Sequence, residues 1–298
     1  MYMLNEPTVE FDNAEIPAAV LGESPAVDDA TGHVWWVDTV GKRLFRSGTR
    51  DAEAGFWELP EGIGFVVLDK SGLPIIGLET GLFVLEPQTG ALHKLLDQTR
   101  AGHRFNDATV DAQGRLWAST MSLTAARGEG AIWRINEALA LVPVIEGLTI
   151  PNGMAIDIAR GRLYYSDSHP DVQTIWTVGL APDGGQMGAP ALFADMKSMA
   201  GRPDGAALDA EGRYWIAAVD GAALRVYSPD AQHLFDVPLP VIFPTKLAFH
   251  GDECGQVVVT SKQDGKDGGR LAFLSFKQGS VKGVRQARWN RPSTPDLA

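Results

Sequence analysis

Cysteine is nearly absent from this chain of 298 residues; Cys254 stands alone. No internal disulfide can form, which suits a reducing compartment. Basic charge is also in short supply. The 26 Lys and Arg face 37 Asp and Glu, for a net charge of −11 and a pI near 5.0. That balance leaves no basic stripe for phosphates and speaks against a nucleic-acid partner. No apolar run reaches the roughly 18 residues of a membrane span. The opening MYMLNEPTVEFDN has neither a basic stretch nor a long apolar one. A cytoplasmic protein working away from membranes is therefore expected.

Familiar catalytic signatures are missing too. There is no C-x-x-C, no H-E-x-x-H and no glycine-rich phosphate loop before a helix,. The string nearest to G-x-S-x-G, Gly22-Glu23-Ser24-Pro25-Ala26, lacks its last glycine and leads into no helical pattern,. The six histidines are scattered. His103 beside Arg104 and His169 in the loop SDSHPD are the two with a claim on a pocket. Helical periodicity is lacking as well, apart from a short turn near Ile135–Leu141,.

What is present is a repeat. A short apolar strand, an Asp with a small turn, an aromatic or β-branched strand and a third strand recur along the chain. The copies include SPAVDDATGHVWWVD, NDATVDAQGRLWAST, NGMAIDIARGRLYYSD and DGAALDAEGRYWIAA. Their anchors are Asp28, Asp69, Asp111, Asp157, Asp209 and Gly251, separated by 41, 42, 46, 52 and 42 residues on subtraction. A period of about 40–50 residues, with three or four strands per unit, is the mark of propeller blades. A stacked sandwich predicts no such phase. The reading is an all-β, six-bladed β-propeller forming one domain over residues 1–298. Apolar content of 45% supplies its core,. Trp35, Trp36, Trp117 and Trp215 fall in second strands and are expected to pack between blades. KQDGKDGG, residues 262–269, reads as a solvated loop. The stretch Thr8–Ile16 has strand composition and is expected to join the last blade near Val284–Trp289, closing the ring and its exposed edges.

Five positions before each anchor stand Glu23, Gly64, Asn106, Asn152, Asp204 and Lys246. The first strand of a blade lies closest to the axis, so these positions converge on one mouth of the channel. Polar groups there are costly to desolvate unless paired. One answer is that they cap strand ends or hold channel waters. The other is a cation: Glu23, Asn152 and Asp204 offer two carboxylates and an amide oxygen, enough to balance one divalent ion. Three protein ligands leave positions open for water and substrate.

At these residues the chain resembles the SMP-30/gluconolactonase, or regucalcin-like, family. The matching motifs are LGESP around Glu23, RFND at Arg104–Asp107, STM at Ser119–Met121, GLTIPNG ending at Gly153 and RPDG at Arg202–Gly205. The resemblance covers essentially the whole chain. It implies a six-bladed propeller that hydrolyses a sugar lactone to the aldonic acid with one divalent metal ion, Ca, Zn, Mg, Mn or Fe. It implies Glu23, Asn152 and Asp204 as metal ligands, Asp204 also as general base, and Arg104 and Asn106 as contacts of substrate hydroxyls or metal-bound water. Two departures bear on the substrate. The loop SLTAARGEG, residues 122–130, has Ser122, Leu123 and Thr124 where some members carry acidic residues. Lys246 stands where members have a small polar residue, and is expected to reach an anionic substrate group, Glu23 or Asp204. His169 joins the substrate-binding set from its place in the register. The partner is a small-molecule sugar lactone, and the protein is expected to be a monomer or weak homodimer. A non-catalytic cation-binding propeller and a metal-dependent hydrolase of another ester are the alternatives. The side chains Arg104 and Asn106 favour an enzyme, since a pure ion site needs neither.

Overall fold

The structure is a computed structural model in which residues 6–12, 16–48, 54–98 and 100–293 are described. A first strand, β1 (Thr8–Phe11), precedes the blades. Blade 1 follows as β2 (Gly22–Asp28), β3 (His33–Asp38), β4 (Arg43–Gly48) and β5 (Gly55–Glu58). Blade 2 is β6 (Ile63–Leu68), β7 (Pro74–Leu78), β8 (Gly81–Glu86) and β9 (Ala91–Asp97). Blade 3 is β10 (His103–Val110), β11 (Leu116–Ser122), β12 (Gly130–Ile135) and β13 (Leu141–Leu148). Blade 4 is β14 (Pro151–Asp157), β15 (Arg162–Asp167), β16 (Thr174–Leu180) and β17 (Gln186–Asp195). Blade 5 is β18 (Arg202–Leu208), β19 (Tyr214–Val219), β20 (Ala223–Tyr227) and β21 (His233–Pro238). Blade 6 is β22 (Pro244–His250), β23 (Gln256–Ser261) and β24 (Ala272–Ser275), completed by β1. Each sheet is an antiparallel meander of four strands, and the chain is a six-bladed β-propeller. Among the described residues no helix is long and apolar enough to cross a membrane.

The anchors open the turns between first and second strands. The Asp69 carboxylate accepts backbone N–H bonds from Ser71 at 2.9 Å and Leu73 at 3.0 Å. Asp111 and Asp209 do the same for their own turns. The glycines that follow take positive φ, as at Gly114 (76°) and Gly212 (78°), where a side chain would be strained. The hydrophobic core is divided among the seams between neighbouring blades. Trp35, Val37 and Leu44 of blade 1 meet Ile63, Val66 and Ile76 of blade 2. Trp117 of blade 3 meets Leu163 and Tyr165 of blade 4. Trp215 of blade 5 meets Leu247 and Phe249 of blade 6. The last seam, with Trp36 and Phe45 of blade 1 against Val258 and Leu271 of blade 6, closes the circle.

Closure is achieved differently from the sequence expectation. β1 does complete the last blade, but its partner is β24, with Thr8 opposite Ser275 and Phe11 opposite Ala272. Residues 13–15 of the expected strand lie outside the described residues. The segment Val284–Trp289 is a strap instead, running beneath the ends of the inner strands. Gly283 pairs with Asp209 and Trp289 with Asp69. Gln286 bonds the Val27 N–H and the Pro25 carbonyl, and Arg288 reaches Asp28 at 2.5 Å. Its alternation of side chains resembles a strand because it lies extended against several blades in turn. The turn near Ile135–Leu141 is closed by Asn136 and is not helical. The loop at residues 262–269 is largely exposed except at its final glycines.

Candidate active site

In all six blades the pairing of the two innermost strands slips beside the ring position: between Glu23 and Ala26, Ile63 and Phe65, Phe105 and Ala108, Asn152 and Ala155, Pro203 and Ala206, and Pro244 and Lys246. A bulge of this kind re-aims side chains and adds an inward-facing residue. At two of these bulges, Ser24 (φ 54°) and Gly153 (φ 63°) adopt the left-handed conformation. Gly64 is the apolar member of the ring for a steric reason: a Cβ there would collide with the Phe105 carbonyl of blade 3.

Asn152 is held from several sides. Its Oδ1 accepts a bond from Asn106 Nδ2 at 2.9 Å, and its Nδ2 donates to Ser168 Oγ at 2.9 Å. Ser168 Oγ donates in turn to the Pro203 carbonyl, one residue before Asp204. Asn106 Nδ2 also donates to the Pro151 carbonyl at 3.0 Å, and its Oδ1 accepts from Arg104 Nη1 at 2.7 Å. Arg104, Asn106 and Asn152 therefore form one chain of side-chain bonds along the mouth. Tyr214 of blade 5 donates its hydroxyl to the Gly153 carbonyl at 2.7 Å, fixing the backbone next to Asn152.

Asp204 is 8% exposed, and its Oδ1 is buried with no hydrogen-bond partner. Burial first, and the nearby Asp107 second, raise its pKa, while Arg202 and Lys246 oppose the shift. Glu23 is held well above the usual carboxylate range by burial, then by Asp204 and Asp107. Its Oε2 accepts the Ser24 N–H at 3.2 Å. Arg104 feels the fields of Glu23, Glu79 and Asp204, and burial lowers its pKa. The half-buried Glu23 and the buried Asp204 thus lie in one mutually repelling environment short of donors,.

Among the described residues no three His, Cys, Asp or Glu side chains converge as a metal cage. The set Glu23, Asn152 and Asp204 is sparser, with two acids and an amide. It still fits a hard divalent cation. Asp204 Oδ1 is orphaned, and the amide oxygen of Asn152 keeps a second lone pair beyond its bond from Asn106. Glu23 is also repelled by Asp204, a repulsion that an added cation would relieve,.

Lys246 departs from its expected place. It is 4% exposed, and its ammonium bonds the Asp107 carboxylate and, at 2.7 Å, the Ala108 carbonyl. It is turned neither to Glu23 nor to Asp204, and its donors are engaged within the protein rather than held out to a substrate. The reason is Asp107, which the sequence reading passed over. Asp107 Oδ1 also accepts the Ala108 N–H at 2.8 Å, and its Oδ2 accepts the Met154 N–H at 3.2 Å. His169 lies in the loop after β15, at the same end as Asn152, since Pro151 pairs with Asp167. Its Nδ1 accepts the Asp171 N–H at 3.3 Å, and Asp171 pairs with Arg127 of the 122–130 loop on blade 3. His103 is buried beneath that loop, its Nε2 3.3 Å from Glu129 Oε2, rather than facing the mouth.

Residues 21–263 match the profile of the SMP-30/Gluconolactonase/LRE-like region. The chain is 33% identical over 257 residues to a 6-deoxy-6-sulfogluconolactonase of Pseudomonas putida, covering 85% of this chain and 87% of that protein. It is 28% identical over 257 residues to regucalcin of Xenopus laevis, covering 83% and 85%. Among solved structures, a calcium-binding protein, regucalcin, from Agrobacterium tumefaciens shares the fold with a TM-score of 0.86 at 24% identity, over 96% of this chain and 98% of that one.

Proposed function

The chain belongs to the SMP-30/gluconolactonase/LRE-like family, and from that premise we propose that it hydrolyses a sugar lactone to the aldonic acid at a site for one divalent cation. The reading includes action on a free small-molecule lactone in the cytoplasm, by a monomer or weak homodimer. The observation that carries it is the buried, unpartnered Asp204 Oδ1, in one ring with Glu23 and Asn152.

Glu23, Asn152 and Asp204 would hold the cation. Bound there, it supplies Lewis-acid polarisation of a carbonyl and a more acidic water. The remaining chemistry belongs to the chain. Water adds to the lactone carbonyl carbon, the ring C–O bond breaks, and the ring oxygen leaves as a hydroxyl, taking up the proton that the water gives to Asp204. Asp204 is the carboxylate placed to accept the water proton and hand it to the departing ring oxygen. Arg104, steered through Nη1 by Asn106 Oδ1 and by the Phe105 carbonyl at 2.9 Å, orients the sugar oxygens with its planar fork. Asn106 couples that guanidinium to Asn152. A protein that only stored a cation would gain nothing from the Arg104–Asn106 pair.

The test is to strip the protein with chelator, restore divalent ions one at a time, and follow acid release from a panel of aldonolactones. A rate above spontaneous hydrolysis that returns only with ion is expected. Ion binding without any such rate would leave a cation-binding propeller in its place.

A further inference from the structure

Lys246 starts on blade 6, yet its ammonium ends on blade 3. Its stem lies across Gly205 of blade 5, where a Cβ would collide with it. The residue therefore crosses the channel next to Asp204. On its far side is a chamber of about 160 Å³ lined by Val66, Ala108, Met154 and Ala206 and floored by residues 284–288. Lys246 forms the partition between that chamber and the mouth.

Lys246 is the one cation among the six ring positions, and it is paired with Asp107, the residue after the ring position Asn106. We infer that Lys246 is a tethered counter-cation that neutralises Asp107 and thereby sets how tightly Glu23, Asn152 and Asp204 hold a divalent ion. This rests on the cation-site reading above. The stem of Lys246 lies against Gly205, the residue after Asp204, and Asp107 accepts the Met154 N–H, two residues beyond Asn152, so both charges sit beside the ligands although the ammonium bonds neither acid among them. A fixed positive charge repels an added cation, and an unneutralised Asp107 attracts one.

A purely mechanical role is the rival. Lys246 bonds Asp107, Asp107 bonds the Met154 N–H, and Met154 lies two residues beyond Asn152. If bracing were the whole effect, removing either end of the pair would weaken ion binding. The charge role makes the two ends act in opposite directions.

Manganese(II) chloride, and separately calcium chloride, titrated calorimetrically into the chelator-stripped full chain distinguishes them. Lys246→Met keeps the stem over Gly205 and removes the charge; it should tighten the ion by about tenfold. Asp107→Asn leaves the ammonium unbalanced and should weaken the ion by about tenfold, the scale of one unit charge acting at short range. The double variant, with no buried charge left unpaired, should return to within about threefold of the wild type. It also decides the question should Lys246→Met alone not fold. Weakening by Lys246→Met, or a double variant as weak as Asp107→Asn, overturns the inference. A wild-type chain that takes up neither ion removes the cation site and this inference together. Wild-type binding with a different order of variants removes the inference alone.

Discussion

A buried carboxylate oxygen to which nothing donates marks the position where the chain is least satisfied by itself. Asp204 Oδ1 is such an atom, so replacing it disturbs no internal bond of that oxygen. Asp204→Asn should lower the lactone turnover rate by about 10²-fold or more. The urea midpoint should stay level or rise, because a repulsion between buried acids is relieved. Acid release at saturating lactone, read beside urea unfolding, checks both; a lower midpoint with full activity would remove Asp204 as base. Glu23, Asn152 and Asp204 were legible because each keeps the same distance from its anchor. Asp107 was not. Strict alternation along β10 turns Asn106 and Asp107 to opposite sides, and only the slip in pairing between Phe105 and Ala108 brings both into the channel region. The true partner of Lys246 was hidden for the same reason, since a contact between blades 6 and 3 leaves no trace in local spacing.

Within each blade, the turn between the first two strands is the element that the repeat encodes most openly. In blades 3 and 5 it carries an additional lock. Asp209 Oδ2 accepts from Trp215 Nε1 at 2.8 Å and from Arg213 Nε at 2.5 Å, while Oδ1 caps the turn. Asp111, Arg115 and Trp117 repeat the arrangement. Asp209→Ala leaves a buried guanidinium and an indole N–H without their acceptor. It should cost about 3–5 kcal/mol in urea unfolding, whereas Asp157→Ala, whose partner Arg160 is part-exposed, should cost about 1 kcal/mol. Equal losses would show that the lock contributes nothing beyond the turn. The D-A-Q-G and D-A-E-G strings made these turns readable from composition alone. The strap at Val284–Trp289 was misread because an extended segment that meets successive blades alternates its side chains as a strand does. Its lack of a neighbouring strand is a property of the assembled ring.

At the scale of the whole ring, stability depends on the blade that joins the two ends of the chain, and titration reaches it there. Burial lowers the pKa of His250, in β22, to about 4 and raises that of Asp12, just after β1, to about 6. The unfolded chain protonates His250 near 6.5 while the fold resists to about 4, so this residue drains stability as pH falls through that window. Asp12 acts the other way: its proton is kept in the fold up to about pH 6, and its contribution fades as pH rises from 3.8 to 6. The two oppose each other between about pH 4 and 6. His250→Phe should leave the Asp12 trend exposed, gaining about 3 kcal/mol on the wild type between pH 7 and 4 at about 1.4 kcal/mol per pH unit. Urea unfolding at several pH values checks it, and parallel curves would refute it. Closure by an N-terminal strand was legible from composition; its register against β24 was not, because any extended edge offers the same backbone bonds. The buried lysine has one further consequence. Because its side chain spans the channel from blade 6 to blade 3, a molecule entering at the mouth meets a floor there: whatever arrives must depart by the way it came, and a lactone has to wait for the acid before it to clear the opening.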